Sequence, residues 1–238
     1  AETCIFNRDD EISSRLAAEF PGAVSFGLNP PRREQDFGVI ETRDGAWLSR
    51  GARPLIRTDE LRITGAHNHA NALACLALGE AVGLPFDAMV ATLREFSGLP
   101  HRMAPVTEHA GVVYVNDSKG TNVGATIAAI RGAGRMLVLI AGGDGKGQDF
   151  SQLAEALRGK ARHVVLIGKD AAAISDAIAG EISVTRANDM ASAVRFAASV
   201  AQPGDMVLLS PACSSLDMFA NYEARGDAFV RAVHEVAA

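Results

Sequence analysis

The segment Asn116-Asp117-Ser118-Lys119-Gly120-Thr121-Asn122 puts an acid, a cation and two hydroxyls into one turn. It follows an apolar run at 112–115 and precedes a helical pattern with Val123, Ile127 and Ile130 on one face. Strand-to-helix turns of this kind are where α/β proteins place chemistry. Thr121 or Asn122 can also cap the helix, and for Thr121 capping is an equal reading. Two further junctions carry similar groups. Ala141-Gly142-Gly143-Asp144-Gly145-Lys146-Gly147 is either a glycine turn with a solvated lysine or a backbone open to close ligand approach. In the second case Lys146 is a point charge for a carboxylate or phosphate. It is not a phosphate-binding P-loop, because Ile140 and Gly147 stand where that motif needs Gly and a Ser or Thr. In Ser210-Pro211-Ala212-Cys213-Ser214-Ser215-Leu216-Asp217, Ser214 and Ser215 either cap a helix or open one whose N–H groups bind an anion. No Gly-x-Ser-x-Gly elbow or paired base supports a serine nucleophile there.

These loops require a scaffold that brings them to one edge. Apolar runs at 112–115, 136–141, 163–167, 182–185 and 206–209 alternate with helical patterns at about 121–131, 149–158, 170–179, 188–201 and 223–236. The runs are continuously apolar, as in a parallel sheet covered on both faces, so the pattern predicts a doubly wound α/β domain. Ligands would bind beyond the carboxyl ends of its strands. Lys119, Lys146 and the hydroxyls then make a pocket for a small dicarboxylate or a phosphorylated intermediate. Asp117 could orient a ribose, a metal or a lysine there, and Arg102 could reach a phosphate across an interdomain cleft. Strand order is not readable from the sequence.

Upstream the texture differs. Residues 3–27 read as strand, helix and strand, with Ile12, Leu16 and Phe20 at helical spacing. Arg43-Asp44-Gly45 reads as a hairpin turn, and Arg53-Pro54 as a further turn. From Gly65 an alanine-rich helix runs to Val82, apolar nearly all round and therefore expected to pack on several sides. Asn68 and Asn71 share a face near its start, as a polar first turn or as ligand contacts. His67 and His69, two apart and without companions, make a poor metal site. Ser97-Gly98-Leu99-Pro100 is the candidate boundary, giving domains 1–98 and 99–238.

Composition narrows the partners. The 238 residues are 48% apolar and carry a net charge of −5, which provides no electrostatic footprint for nucleic acid or an acidic membrane. Three scattered cysteines read as buried thiols of a reducing, cytoplasmic compartment. No run is long enough to span a bilayer, and the first residues lack the pattern of a signal peptide.

Five motifs in this order resemble the Mur ligases, ATP-dependent amide-bond-forming enzymes of peptidoglycan synthesis, and most closely the branch that adds D-glutamate. They are Gly65-Ala66-His67-Asn68-His69-Ala70-Asn71, Gly98-Leu99-Pro100-His101-Arg102, the Asn116–Asn122 segment, Gly142-Gly143-Asp144-Gly145-Lys146 and the Ser210–Asp217 segment. The resemblance implies that residues 1–98 are the last part of a central α/β ATP-binding domain and 99–238 a Rossmann-like amino-acid-binding domain. It implies ATP and Mg²⁺ as cofactors, with D-glutamate and UDP-N-acetylmuramoyl-L-alanine as substrates and an acyl-phosphate mechanism in a monomer. Asn68, Asn71, Arg102 and Asp117 would contact the nucleotide. Lys119, Thr121, Lys146, Ser215, Leu216 and Tyr222 would line the D-glutamate pocket, with Lys119 and Lys146 as catalytic cations. Gly120 replaces an expected Ala, and Tyr222 an expected Phe.

The family's uridine-nucleotide domain, its Gly-Lys-Ser or Gly-Lys-Thr P-loop and its metal-site residues have no counterpart in these 238 residues, so no metal ligand is assigned. Two other readings are a related ligase for another amino acid or polyglutamate, and a non-catalytic α/β domain that binds a nucleotide or acidic metabolite. The expectation from the missing P-loop is that the isolated chain has no ligase activity. A phosphate-release assay with ATP and D-glutamate checks it, and dependent turnover would count against it.

Overall fold

A computed structural model describes residues 3–63 and 65–238. The chain divides between Gly98 and Leu99 into two compact units.

In the first unit, β1 (Ile5–Asn7), α1 (Glu11–Ala17) and β2 (Val24–Phe26) are followed by the strands β3 (Phe37–Thr42), β4 (Gly45–Arg50) and β5 (Arg53–Arg57). They form one sheet in sequential order, parallel through β1-β2-β3 and antiparallel through β3-β4-β5. The helices α2 (Ala66–Ala81) and α3 (Phe86–Glu95) complete the unit. Its core joins Phe37, Leu48 and Ile56 of the sheet to Leu73, Leu76, Val90 and Leu93 of the helices.

Three expectations change here. Arg53-Pro54 is not a turn but the start of β5, which is an edge strand, where proline's missing N–H costs no ladder bond. Helix α2 buries one face (Ala72, Leu73, Leu76, Ala77) rather than packing on several sides, and Leu78 and Val82 beyond it remain exposed. Cys75 lies on that exposed flank, so the cysteines are not uniformly buried. Spacing marked α1 correctly as a helix, but Ile12, Leu16 and Phe20 are exposed and only Ala17 is buried.

The second unit contains β6 (Ala104–His109), β7 (Val112–Asn116), α4 (Val123–Gly132), β8 (Leu137–Gly142), α5 (Ser151–Leu157), β9 (Ala161–Ile167), α6 (Ala171–Ala177), β10 (Val184–Arg186), α7 (Met190–Val200), β11 (Met206–Leu209) and α8 (Tyr222–Ala237). Strand order is β10-β9-β8-β11-β7-β6, parallel except for the antiparallel edge strand β6. The apolar periodicity did not signal β6, which is half polar and carries Pro105. One face of the sheet packs on α4, α5 and α6 through Leu139, Leu166, Leu208 and Ile130. The other packs on α7 and α8 through Ile140, Val165, Leu209, Val194 and Phe229. Alternate residues of each strand thus enter opposite cores, which is why the strands read as unbroken apolar runs.

Chain order does not make β11 a neighbour of β7 and β8, yet it lies between them, with Leu209 opposite both Asn116 and Ile140. The strands preceding the three polar loops are therefore adjacent; β7 and β11 end level, and β8 runs two residues further. Leu208, fully buried on this central strand, is a sensitive probe of it. Leu208→Ala should destabilise the unit by about 2–5 kcal/mol, measured by denaturant unfolding.

Candidate functional site: three loops at the carboxyl ends of adjacent strands

The sheet's hydrogen bonding continues into the loops. Asp117 N–H donates to Leu209 O (2.8 Å), Ala212 N–H to Gly120 O (2.9 Å) and Gly142 N–H to Pro211 O (2.8 Å). Asp144 and Ser214 exchange both backbone bonds, at 3.0 and 2.9 Å. This closeness requires glycine: at Gly143 (φ +130°) a Cβ would lie 2.2 Å from Ser214 O. Lys146 follows in the left-handed region (φ 52°), its N–H held by Asp144 Oδ1 at 2.9 Å. A lysine in that conformation persists because the side chain of Asp144 closes the turn. Lys146 itself is exposed, and Lys169 Nζ lies 3.4 Å from Asp144 Oδ1.

In the first loop Asn122, not Thr121, caps α4, accepting from Ala125 N–H at 2.9 Å. Thr121 is half-buried and free of the capping role. Lys119 lies with Nζ 3.9 Å from the centre of the Tyr222 ring, a cation–π contact of about 0.5–1 kcal/mol. Tyr222 is the first residue of α8, and its carbonyl accepts from Ser118 Oγ (2.8 Å). Its ring and its backbone are therefore both engaged.

Asp117 is buried. Its Oδ2 accepts from Ser210 Oγ (2.7 Å) and its Oδ1 from Met103 N–H (3.2 Å). Burial raises its pKa above the ordinary carboxylate value, opposed by these two hydrogen bonds and by the charge of Arg102. At Gly120, where the resemblance led to an expected Ala, a Cβ would sit 2.7 Å from both Asp117 Oδ2 and Ser210 Oγ. Arg102 itself is exposed.

In the third loop Ser214 and Ser215 are buried and do not open a regular helix. The segment after them is a turn in which Ser215 O accepts from Met218 and Phe219 N–H (3.1 and 2.8 Å). Helix α8 starts only at Tyr222, capped by Asn221. Leu216 is 65% exposed, so it presents apolar surface outward from the loop. Burial pushes the Cys213 thiol up to about 12, leaving it protonated and inert at neutral pH.

Two residues that spacing did not single out anchor the loops: Arg225 joins the first to the third, and Asn116 ties the first to α8. Arg225 is 1% exposed, and its guanidinium donates to Ser118 Oγ (2.9 Å), Ser118 O (2.8 Å) and Cys213 O (3.0 Å). Burial lowers its pKa to about 10. Its signal was available in the sequence: it falls on the buried stripe of α8 with Phe229, Ala232 and Val233. Asn116 is the other. Its Oδ1 accepts from Ser118 N–H (3.0 Å), while its Nδ2 donates to Gly226 O (3.2 Å) and His101 Nδ1 (3.0 Å). Because Nδ2 can only donate, His101 carries its proton on Nε2.

The structure thus brings Asp117, Lys119, Thr121, Lys146, Ser215 and Leu216 onto three cross-linked loops, with Tyr222 at the start of α8 beside them. Asn68 and Asn71 lie in the first unit, in the opening turns of α2, whose N-cap is Gly65. Among the described residues no group of three His, Cys, Asp or Glu could hold a metal ion, and no helix is long and apolar enough to cross a membrane.

A carboxyl whose folded pKa is raised contributes stability that is fully present below the unfolded pKa, near 3.8, and is lost as pH rises through the folded value. The stability of Asp117→Asn relative to the parent chain should therefore move in the variant's favour across that window and level off above it. Urea unfolding between pH 3 and pH 7 measures this, and a pH-independent difference would contradict the assignment.

Residues 101–213 match the family model described as Mur ligase, glutamate ligase domain. The chain is 51% identical over 237 residues to the UDP-N-acetylmuramoylalanine–D-glutamate ligase of Pseudomonas savastanoi pv. phaseolicola, covering 98% of this chain and 53% of that one. It is 50% identical over 241 residues to the ligase of that name from Pseudomonas aeruginosa, covering 100% and 54%. It spans about half the length of these curated relatives. Among solved structures, a pseudomurein peptide ligase type C from Methanothermus fervidus superposes with a TM-score of 0.66 at 17% identity, over 99% of this chain and 57% of that one. That likeness shows the fold. With half its residues shared with these curated relatives across nearly its whole length, the chain is similar to part of these ligases, and its residues 101–213 match the Mur ligase, glutamate ligase domain.

Proposed function

We propose that this chain supplies the amino-acid-accepting side of an ATP-dependent ligase that joins D-glutamate to UDP-N-acetylmuramoyl-L-alanine in cytoplasmic peptidoglycan synthesis. The observation that carries the reading is the set of three cross-linked loops following β8, β11 and β7, which hold lysines and hydroxyls at one sheet edge in an otherwise acidic protein. A dicarboxylate amino acid needs cations and neutral donors at fixed separation, and Lys119, Lys146, Thr121 and Ser215 are of those kinds. The names of the relatives point to the same amino acid.

In this reading Lys146 binds one carboxylate of D-glutamate, and Thr121 and Ser215 fix its orientation. The ring of Tyr222 restrains Lys119, whose charge offsets the negative charge that develops when the amine attacks the activated carboxyl. Activation as an acyl phosphate is the chemistry that ATP supplies when bound. Asp117 and Arg102 suit the ribose and phosphate of that nucleotide by type, and Asn68 and Asn71 are assigned to its adenine. The Mg²⁺ that accompanies ATP finds no ligand cluster among the described residues, so no step here runs through it. Residues 1–98 are then part of the ATP-binding domain and residues 99–238 the D-glutamate-binding one, within a monomer.

Titration of the ¹⁵N-labelled chain with D-glutamate should move the amide signals of Thr121, Lys146 and Ser215, and L-glutamate should not. Lys146→Ala should weaken D-glutamate binding about tenfold or more, the loss of one charge-assisted contact. Unmoved signals at all three amides would overturn the assignment of the pocket.

A further inference from the structure

The side chain of Gln148 is used at both ends. Its Oε1 accepts from Val123 N–H at 3.0 Å, and its Nε2 donates to Ala212 O at 2.6 Å. Its own N–H closes the glycine loop on Gly145 O at 3.1 Å. Val123 is the first residue of α4, so its amide has no acceptor within the helix. Ala212 sits in the left-handed region at φ 60°, a conformation that a non-glycine residue keeps only where its surroundings hold it. One amide thereby joins the loops after β7, β8 and β11. Each of its anchor points is two or three positions from a group placed in the pocket: Gln148 from Lys146, Val123 from Thr121, and Ala212 from Ser215.

A dicarboxylate amino acid is recognised by the separation of its two charged ends, so the loops that meet those ends must keep a set spacing. The neighbouring backbone bonds join the third loop to each of the other two, from Ala212 to Gly120 and from Ser214 to Asp144. Gln148 joins the lysine loop to the start of α4 as well, closing the triangle. We propose that Gln148 is a positioning residue for amino-acid binding, and that its amide sets the distance between the lysine loop and the Thr121 and Ser215 loops. The proposal rests on the reading of the pocket as an amino-acid site.

Two variants of the 238-residue chain separate the arms. Gln148→Ala removes both, whereas Gln148→Glu keeps an acceptor for Val123 and loses the donor to Ala212. Three readouts serve: hydrogen exchange at the Val123 amide, the Ser214 and Ser215 amide shifts without ligand, and D-glutamate titration. In Gln148→Ala, Val123 exchange should quicken about tenfold and D-glutamate affinity should fall about fivefold, the scale of one lost hydrogen bond. In Gln148→Glu, Val123 should stay protected while the Ser214 and Ser215 signals move and D-glutamate weakens to a similar degree. That split is not what a general loss of stability produces. Unchanged Val123 exchange in Gln148→Ala would overturn the proposal, as would wild-type D-glutamate affinity in Gln148→Glu. If the parent chain itself fails to respond to D-glutamate, the pocket reading falls. Exchange and shifts in the two variants then still decide whether Gln148 sets the loop spacing.

Discussion

Arg225 carries a positive charge into the interior of the second unit, and the loops around it are arranged to make that tolerable. A buried guanidinium is costly unless its N–H groups find acceptors, and those it finds are a hydroxyl and two carbonyls rather than a carboxylate. Ser118 supplies two of the three and Cys213 the third, so the loops after β7 and β11 must both be in place for the charge to be solvated. The dependence runs both ways. Helix α8, which bears Arg225, packs against the sheet through Phe229 and Val233, so the packing of one helix determines where two loops stand. The lowered pKa of Arg225 reflects the same burial.

Glycine and strain do complementary work. At Gly143 the approach of the Ser214 carbonyl leaves no room for a Cβ, and at Gly120 the Asp117 carboxylate and Ser210 hydroxyl take that room. Lys146 and Ala212 occupy the left-handed region without being glycine, and hydrogen bonds brace both segments. Close approach and strain concentrated at one sheet edge mark a site whose geometry is over-determined, as pre-organised binding requires.

Legibility followed the reach of each interaction. The three polar loops, the five parallel strands and α4 to α8 were readable because apolar runs and helical spacing are local. β5 and β6 were not, since edge strands carry Pro54 and Pro105 and half-polar sequences that also suit turns. Ser214 and Ser215 suggested a helix start by type, but the pairing of Ser214 with Asp144 of the other loop holds the segment as a turn. Asp117 and Lys119 were visible as chemistry. Arg225 was hidden as an ordinary polar residue on a helix, although its place on an apolar stripe was a signal.

The alternation of strands and helices, the three loaded junctions and the family resemblance all depend on residues close together along the chain, and so were legible before folding. Strand order was not legible in this way. Only the tertiary structure inserts β11 between β7 and β8, because that choice rests on how α7 and α8 cover one face of the sheet while α4 to α6 cover the other. Once β11 is there, residues about 25 to 110 positions apart become hydrogen-bonded neighbours, from Gln148 and Val123 to Gly226 and Asn116. Contacts of that range leave no period in a sequence, and they are the contacts that turn three separate loops into one site.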